Sequence, residues 1–437
     1  MLKKQYSRFT STFLFSFFLC FASHNTFAQS SILIAETLDD AAQRYVKLGL
    51  ELGEYDTDYV DAYMGPAEWR IQAKENLRSK QQLAEDIHSL LQALTVLPIT
   101  EELELRHKAL FRNVRAMDVR ARMLLGETFS FSQEAKLIYD VELPEYDFAT
   151  FDQVLNQINQ LLPGKGDLSE RINNFRQDFI IPEDSVDAVL SMAIDECRAR
   201  SNQYISLPAT ENFKLEYVTD KNWSGYNWYQ GENKSLMQIN LDFPIHIDRA
   251  ITLGCHEGYP GHHVWNVLIE NQLLKQKDWI EFSLFPLFSP YALIAEGSAN
   301  FAVELAFPTQ QKIYYEKKVL FAKAGLDTKN AASLDKLNKL IENLSHSITA
   351  TAQLYLDGKI SRQEAIEQRR KYSLISTEKA EQSIRFIEQY RAYVLNYNLG
   401  KDIVSNYINR LSQDQKSQWQ AFERILTELA TGSDMLQ

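Results

Sequence analysis

Three histidines and a glutamate fall within the nine residues Cys255-His256-Glu257-Gly258-Tyr259-Pro260-Gly261-His262-His263. A His-Glu pair on a helix opens the zinc-hydrolase pattern. There the second histidine follows the first by four residues on the same face, and the glutamate acts as general base. Here His262 follows His256 by six residues. On a regular helix such a pair is about 9 Å apart along the axis and about 240° apart around it, so both imidazoles cannot reach one ion. Pro260 and Gly261 change that expectation. Proline removes a donor and clashes with the preceding turn, and glycine takes backbone angles that other residues avoid. Together they predict a bulge that returns His262 to the face of His256. Adjacent side chains point apart, so one of His262 and His263 is the ligand, with His262 preferred.

A zinc site that keeps a position open for water needs a third protein ligand. The nearly uncharged segment SPYALIAEGSANFAVELAF predicts a buried helix around Glu296. A carboxylate in that setting must be paired, hydrogen-bonded or metal-bound. Gly297 beside it allows a neighbouring backbone to come close. Glu304, two turns later on nearly the same face, is the rival ligand or a supporting partner. Glu257 faces another side of its helix from His256, which suits a general base acting on water. The expected cofactor is one zinc ion on His256, His262 and Glu296, since zinc suits a nitrogen and oxygen ligand set.

Near the C-terminus, Tyr390, Tyr393 or Val394, and Tyr397 share one side of an expected helix. A phenol that meets a developing oxyanion assists amide hydrolysis. Tyr397 is the first choice for that role and Tyr393 the alternative. Arg391 is a candidate for holding a substrate carboxylate bidentately.

The elements that must position these residues read as mainly α. Apolar residues recur at three- and four-residue spacing over 39–55, 104–127, 151–162 and 185–205, and again over 333–358 and 376–400, two stretches that end in glycine. One stretch, 213–244, is aromatic, turn-rich and β-prone. It predicts a small sheet that feeds directly into the His256 helix. Its LMQINLD strand is a candidate for edge pairing with an extended peptide. Trp223, Tyr226, Trp228 and Tyr229 read as core of this sheet in preference to a groove lining. The expected organisation is a signal segment over 1–28, an N-terminal helical scaffold over 29–205 and a site-bearing half over 206–437, the last two forming one interlocked unit.

The motifs HEGYPGHH and AEGSA resemble those of the bacterial domain-of-unknown-function family numbered 885, whose members carry His-Glu-x-x-Pro-Gly-His. DTDYVDAYMGPAEW, WSGYNWYQGENKSLMQINLDFPIHIDRA and YRAYVLNYNLG fit a subgroup of it, so the likeness spans most of the chain. The resemblance implies a mostly helical fold related to gluzincin metallopeptidases such as the helical carboxypeptidases. It implies zinc ligands at His256, His262 and Glu296 and a base at Glu257. Many members carry Pro-Gly-Gln before the C-terminal tyrosine. This chain has Arg391-Ala392-Tyr393 there, while Tyr397 and Gly400 fit.

The 437 residues carry a net charge of −12, which argues against nucleic acid as a partner. Lys3, Lys4 and Arg8, the apolar run FLFSFFLCFA and Thr26-Phe27-Ala28 have the order of a secretory signal. They predict an exported, periplasmic or secreted protein, with no membrane association after cleavage. Cys197 and Cys255 would remain, too few for a disulfide-built fold, and Cys255 reads as core. The leading expectation is a zinc metallopeptidase acting on short peptides, with a carboxypeptidase mode among the options. The competing expectations are a zinc hydrolase of a non-peptide amide or ester, and a binding module with a relic site.

Overall fold

The first helix, Leu38–Tyr55, begins where Thr37 accepts from Asp40 N–H and the Asp40 carboxylate returns the bond to Thr37 N–H. This reciprocal cap satisfies two donors that the first turn leaves free. Ser79 with Gln82, Ser130 with Gln133 and Ser361 with Glu364 repeat the device. The chain that follows these caps is mainly helical, with two small sheets. This computed structural model describes residues 37–221, 225–308, 310–411 and 413–436. The expected signal segment and Trp223 lie outside the described residues.

The expected helices are present over Glu104–Leu124, Phe148–Leu161 and Val186–Ser201. Two C-terminal expectations need correction. The 333–358 stretch is two helices, Ala331–Glu342 and Ser347–Leu356, separated at Asn343–His346. The 376–400 stretch breaks at Arg391, whose φ is +51°, and passes through a 3-10 turn over Arg391–Tyr397. A new helix, Leu399–Leu411, then runs past Gly400. Gly400 is therefore a crossing point and not a helix end. A Cβ on Gly297 would lie 2.4 Å from Gly400 O, so the Pro290–Ala306 and Leu399–Leu411 helices touch backbone to backbone there.

The main sheet has the order β2-β4-β3, with β2 spanning Asn212–Val218, β3 Gly225–Gly231 and β4 Lys234–Asn240. β2 runs parallel to β4 and β3 antiparallel to it. β4 carries the LMQIN segment and is central, so its backbone groups are committed on both sides. It cannot receive a peptide by edge pairing, and that expectation fails. The hairpin turn holds Glu232 and Asn233 at φ +52° and +63°, with both N–H groups bonded to the Glu270 carboxylate. A second sheet, not foreseen, pairs β1, Val60–Tyr63, with β5, Leu284–Pro286, antiparallel.

Chain segments far apart in sequence are also tied by buried ion pairs. Arg106 meets Glu281 at 2.6 Å, both with 5% of the side chain exposed. All the described residues belong to one unit. Among them no helix is long and apolar enough to cross a membrane.

Candidate metal centre

The sequence before His256 forms the helix Ile247–Leu253 and then widens into a π turn over Gly254–Gly258. Tyr259 N–H bonds Gly254 O at 3.0 Å, and Gly261 N–H bonds Cys255 O at 2.9 Å. The helix restarts at His262 and continues to Leu268. The expected bulge is thus built from the π turn plus Tyr259-Pro260-Gly261. Gly261 is required for space: a Cβ there would lie 1.8 Å from His256 O.

The break brings His256 and His262 together, with ring centroids 4.7 Å apart and planes nearly perpendicular. His263 turns the other way. It is fully buried, with Nδ1 2.8 Å from Ser235 Oγ and Nε2 3.0 Å from Glu211 Oε2. Both of its nitrogens are engaged away from the cleft, which leaves the first choice, His262, beside His256. Cys255, read as core, is buried and disulfide-bonded to Cys197, joining the turn to the Val186–Ser201 helix.

Glu296 reaches both imidazoles from the Pro290–Ala306 helix, which starts at a Ser289 cap with proline in its first turn. Its Oε2 is 3.7 Å from His256 Nε2, and its Oε1 is 3.8 Å from His262 Nε2. Bonds of about 2.0–2.1 Å in a tetrahedral zinc site set ligand atoms roughly 3.3 Å apart, and each imidazole lies near that spacing from one of the two Glu296 oxygens. Glu296 Oε2 is buried and has no hydrogen-bond partner, an orphan that such an ion would satisfy. Ligand atoms of His256, Glu257 and His262 also lie within 4.8 Å of one another. Glu257 Oε1 is 4.0 Å from His256 Nε2. Glu296 is the expected third ligand, and it reaches both rings, one through each carboxylate oxygen. Glu304 is excluded from the centre: it pairs with Lys401 at 2.6 Å and is half exposed.

Burial drives the electrostatics. It raises Glu257 to about 7, opposed by the Arg249 charge. It raises Glu296 to about 8, helped by the neighbouring Glu257 charge and opposed by the Tyr393 hydrogen bond. It lowers His262 to about 4, and it lowers His256 well below the usual range with help from His262 and Arg249. Neutral imidazoles are what metal binding needs. The carboxylate must lose its proton, which a dication favours.

These groups lie on the floor of a cleft of about 490 Å³. β3 supplies one wall through Gly225 to Tyr229, and β1 another through Asp61, Ala62 and Tyr63. Tyr226, Trp228 and Tyr229 therefore face the cleft, against the expectation that they form sheet core. Trp228 is 44% exposed. Tyr226 O–H donates to Asp61, and Asn227 donates to Glu257 O at 3.1 Å.

Tyr393 and Tyr397 both line the cleft, with different surroundings. Tyr393 is buried and donates its O–H to Glu296 Oε1 at 3.1 Å, so it orients the carboxylate. Tyr397 is 39% exposed and accessible to a ligand. Arg391 does not join them. Its Nε donates to Glu134 Oε1 at 2.6 Å, and the reversed φ at the helix end turns it away from the cleft. Its fork is spent on a buried carboxylate, so its expected substrate role is withdrawn.

Two contributors were missed. Asn300 lies close enough to raise the His256 pKa and donates to Tyr397 O at 3.0 Å. Its signal was its place four residues after Glu296, one turn along the same face. Asp61 had only the alternation of VDAY as a strand signal.

No protein-family model and no curated protein matches the chain. Among solved structures it is similar to "the putative lipoprotein from Colwellia psychrerythraea". The TM-score is 0.55 at 16% identity, over 92% of this chain and 75% of that one. At that identity the likeness is one of fold alone.

Proposed function

We propose that this chain is an exported, zinc-dependent hydrolase of peptide bonds in short peptides, related to the family that its motifs resemble. One observation carries the reading. A buried, bridging Glu296 with an orphaned oxygen faces two neutral imidazoles, and Glu257 stands beside them at the floor of an open cleft. Export rests on the N-terminal sequence pattern, and the similar Colwellia protein carries the description "putative lipoprotein".

When bound by His256, His262 and Glu296, a zinc ion supplies Lewis acidity that polarises a carbonyl and acidifies water. The chain's own groups do the rest. Glu257 takes a proton from the attacking water, and the new C–O bond forms as the carbonyl oxygen gains charge. Tyr397 O–H donates to that oxygen. Glu257 then passes the proton to the leaving nitrogen as the C–N bond breaks. A carboxyl raised to about 7 by burial is suited to both transfers. Tyr393 keeps Glu296 in place, and Asn300 holds the backbone at Tyr397. The free edge of β3, not β4, is where an extended substrate backbone would pair.

Elemental analysis with a peptide screen tests this. The expected result is one zinc per chain, lost in His262→Ala. Glu257→Gln should keep the zinc and lose at least about 100-fold in turnover. A chain that takes up no zinc when supplied with it, or a fully active Glu257→Gln, refutes the reading.

A further inference from the structure

A hydrogen bond joins two walls of the cleft. β1 brings Asp61 and β3 brings Tyr226, whose O–H donates to Asp61 Oδ1. Both side chains line the same cleft as His256, His262 and Glu296. Asp61 is exposed, so a ligand in the cleft can reach it. An ionised carboxylate offers about four acceptor sites. The phenol takes one of them, and among the described residues Asp61 has no ion pair.

The cleft is lined by the carboxylates of Asp61, Glu257 and Glu296 and by one cation, Arg70. Arg70 lies over the Tyr63 ring at 5.4 Å and makes no ion pair with Asp61. A zinc dication on the centre would be offset by the Glu257 and Glu296 charges, which leaves Asp61 with no counter-charge in contact. Enclosure by the cleft pushes the Asp61 carboxyl above the usual range, opposed by the Tyr226 hydrogen bond. A neutral donor would leave that penalty in place, and a cation would relieve it.

The neighbouring rings suit the same group. Tyr226 and Trp228 are two residues apart on β3 and share a face. Their ring centroids are 4.5 Å apart, and Trp228 is 44% exposed. The Trp228 indole N–H is already spent on Gln238 Oε1 at 3.0 Å, so its π face is what it has left for a ligand. Such faces attract an ammonium or guanidinium within about 6 Å of the ring centre.

We propose that Asp61, with the Tyr226 and Trp228 rings, binds a cationic group of the substrate, so that the peptides cut carry an ammonium or guanidinium near the scissile bond. This rests on the hydrolase reading of the site. A free N-terminus and a lysine or arginine side chain supply the same chemistry, and the test separates them.

Alanine tripeptides are made with lysine, or its uncharged counterpart norleucine, at each position in turn, acetylated and amidated at their ends. The all-alanine amide is made with and without the acetyl group. Calorimetry with zinc-loaded Glu257→Gln protein measures affinity without cleavage. The expected result is roughly 10- to 100-fold tighter binding of the charged member of a pair. A gain in a lysine–norleucine pair assigns the side chain, and a gain in the amine–acetyl pair assigns the N-terminus. In Glu257→Gln/Asp61→Asn, whose amide can still accept from Tyr226, the ratio should fall toward one while uncharged peptides bind as before. In Glu257→Gln/Trp228→Ala it should fall about two- to fivefold. With Glu257 retained, kcat/KM should rank the peptides in the same order. Equal affinity within every pair, no binding of any peptide, or a preference that survives Asp61→Asn overturns the proposal. So does an equal loss for charged and uncharged peptides in Asp61→Asn, the mark of a residue that only ties the walls together. Charge-selective, Asp61-dependent binding with no cleavage by the protein that retains Glu257 leaves the proposal standing and sinks the hydrolase reading.

Discussion

Gly261→Ala is the sharpest perturbation of the centre that touches no ligand. The added Cβ would lie 1.8 Å from His256 O and 2.5 Å from Cys255 O, both backbone atoms. To reach 3.0 Å, below which such contacts essentially never occur, the chain must open by about 1.2 Å. Metal–ligand distances tolerate roughly 0.2 Å, so the displacement is about six times what the site allows. His262 begins the helix immediately after Gly261 and moves with it. The expected loss of zinc affinity is at least about 100-fold, beyond the usual cost of disturbing a supporting residue. Overpacking should also remove about 1–3 kcal/mol of stability. Gly258→Ala is the control, because its Cβ would meet only the Phe213 ring at 3.5 Å, an ordinary contact. Competition with a chromophoric chelator reads zinc affinity, and urea denaturation reads stability. If Gly261→Ala binds zinc like the parent while remaining folded, the bulge is not what aligns the two histidines.

Two further outcomes follow from buried charge. In the metal-free chain Glu257 and Glu296 stand at about 7 and about 8, against an ordinary 4.5. The folded state therefore keeps protons that the unfolded chain has released. Their stabilising contribution is full below pH 4.5 and is lost as pH rises through 7 and 8. His262, lowered from 6.5 to about 4, works oppositely: its contribution is full above 6.5 and lost as pH falls through 4. Above 6.5 only the carboxylate effect remains, so the Tm of chelator-treated protein should drop between pH 6.5 and 8, and drop less in Glu296→Gln. A Tm that stays level across that window in both proteins counts against this linkage. Arg391→Ala strands Glu134, whose side chain is 2% exposed. It should cost about 3 kcal/mol in denaturation with zinc content per folded chain unchanged. A raised peptide KM at normal stability would restore Arg391 to the substrate.

The helical class was legible because apolar spacing is a local property, carried residue by residue in stretches such as 38–55 and 186–201. The bulge at Pro260-Gly261 was legible for the same reason: helix geometry forbids His256 and His262 from meeting otherwise. Glu296 could be found because a lone charge in an apolar helix needs a partner wherever that helix lies. Arg391 and Tyr393 were assigned to substrate because nothing near them in the chain shows Glu134 or Glu296, which come from 257 and 97 residues away. β4 was taken for an edge because alternation shows which face a strand buries, not which neighbours flank it.

What the sequence determined by itself was therefore the set of groups able to do chemistry and the local geometry that lets them meet. The tertiary structure alone decided which were free to act. It gave β4 two neighbours and left β3 at the cleft, closed Cys255 onto Cys197, and turned His263 toward Glu211. It spent Arg391 on Glu134. The physical reason is that a charge or a strand edge is satisfied by whatever the fold brings beside it. That partner lies far along the chain, where no local pattern records it.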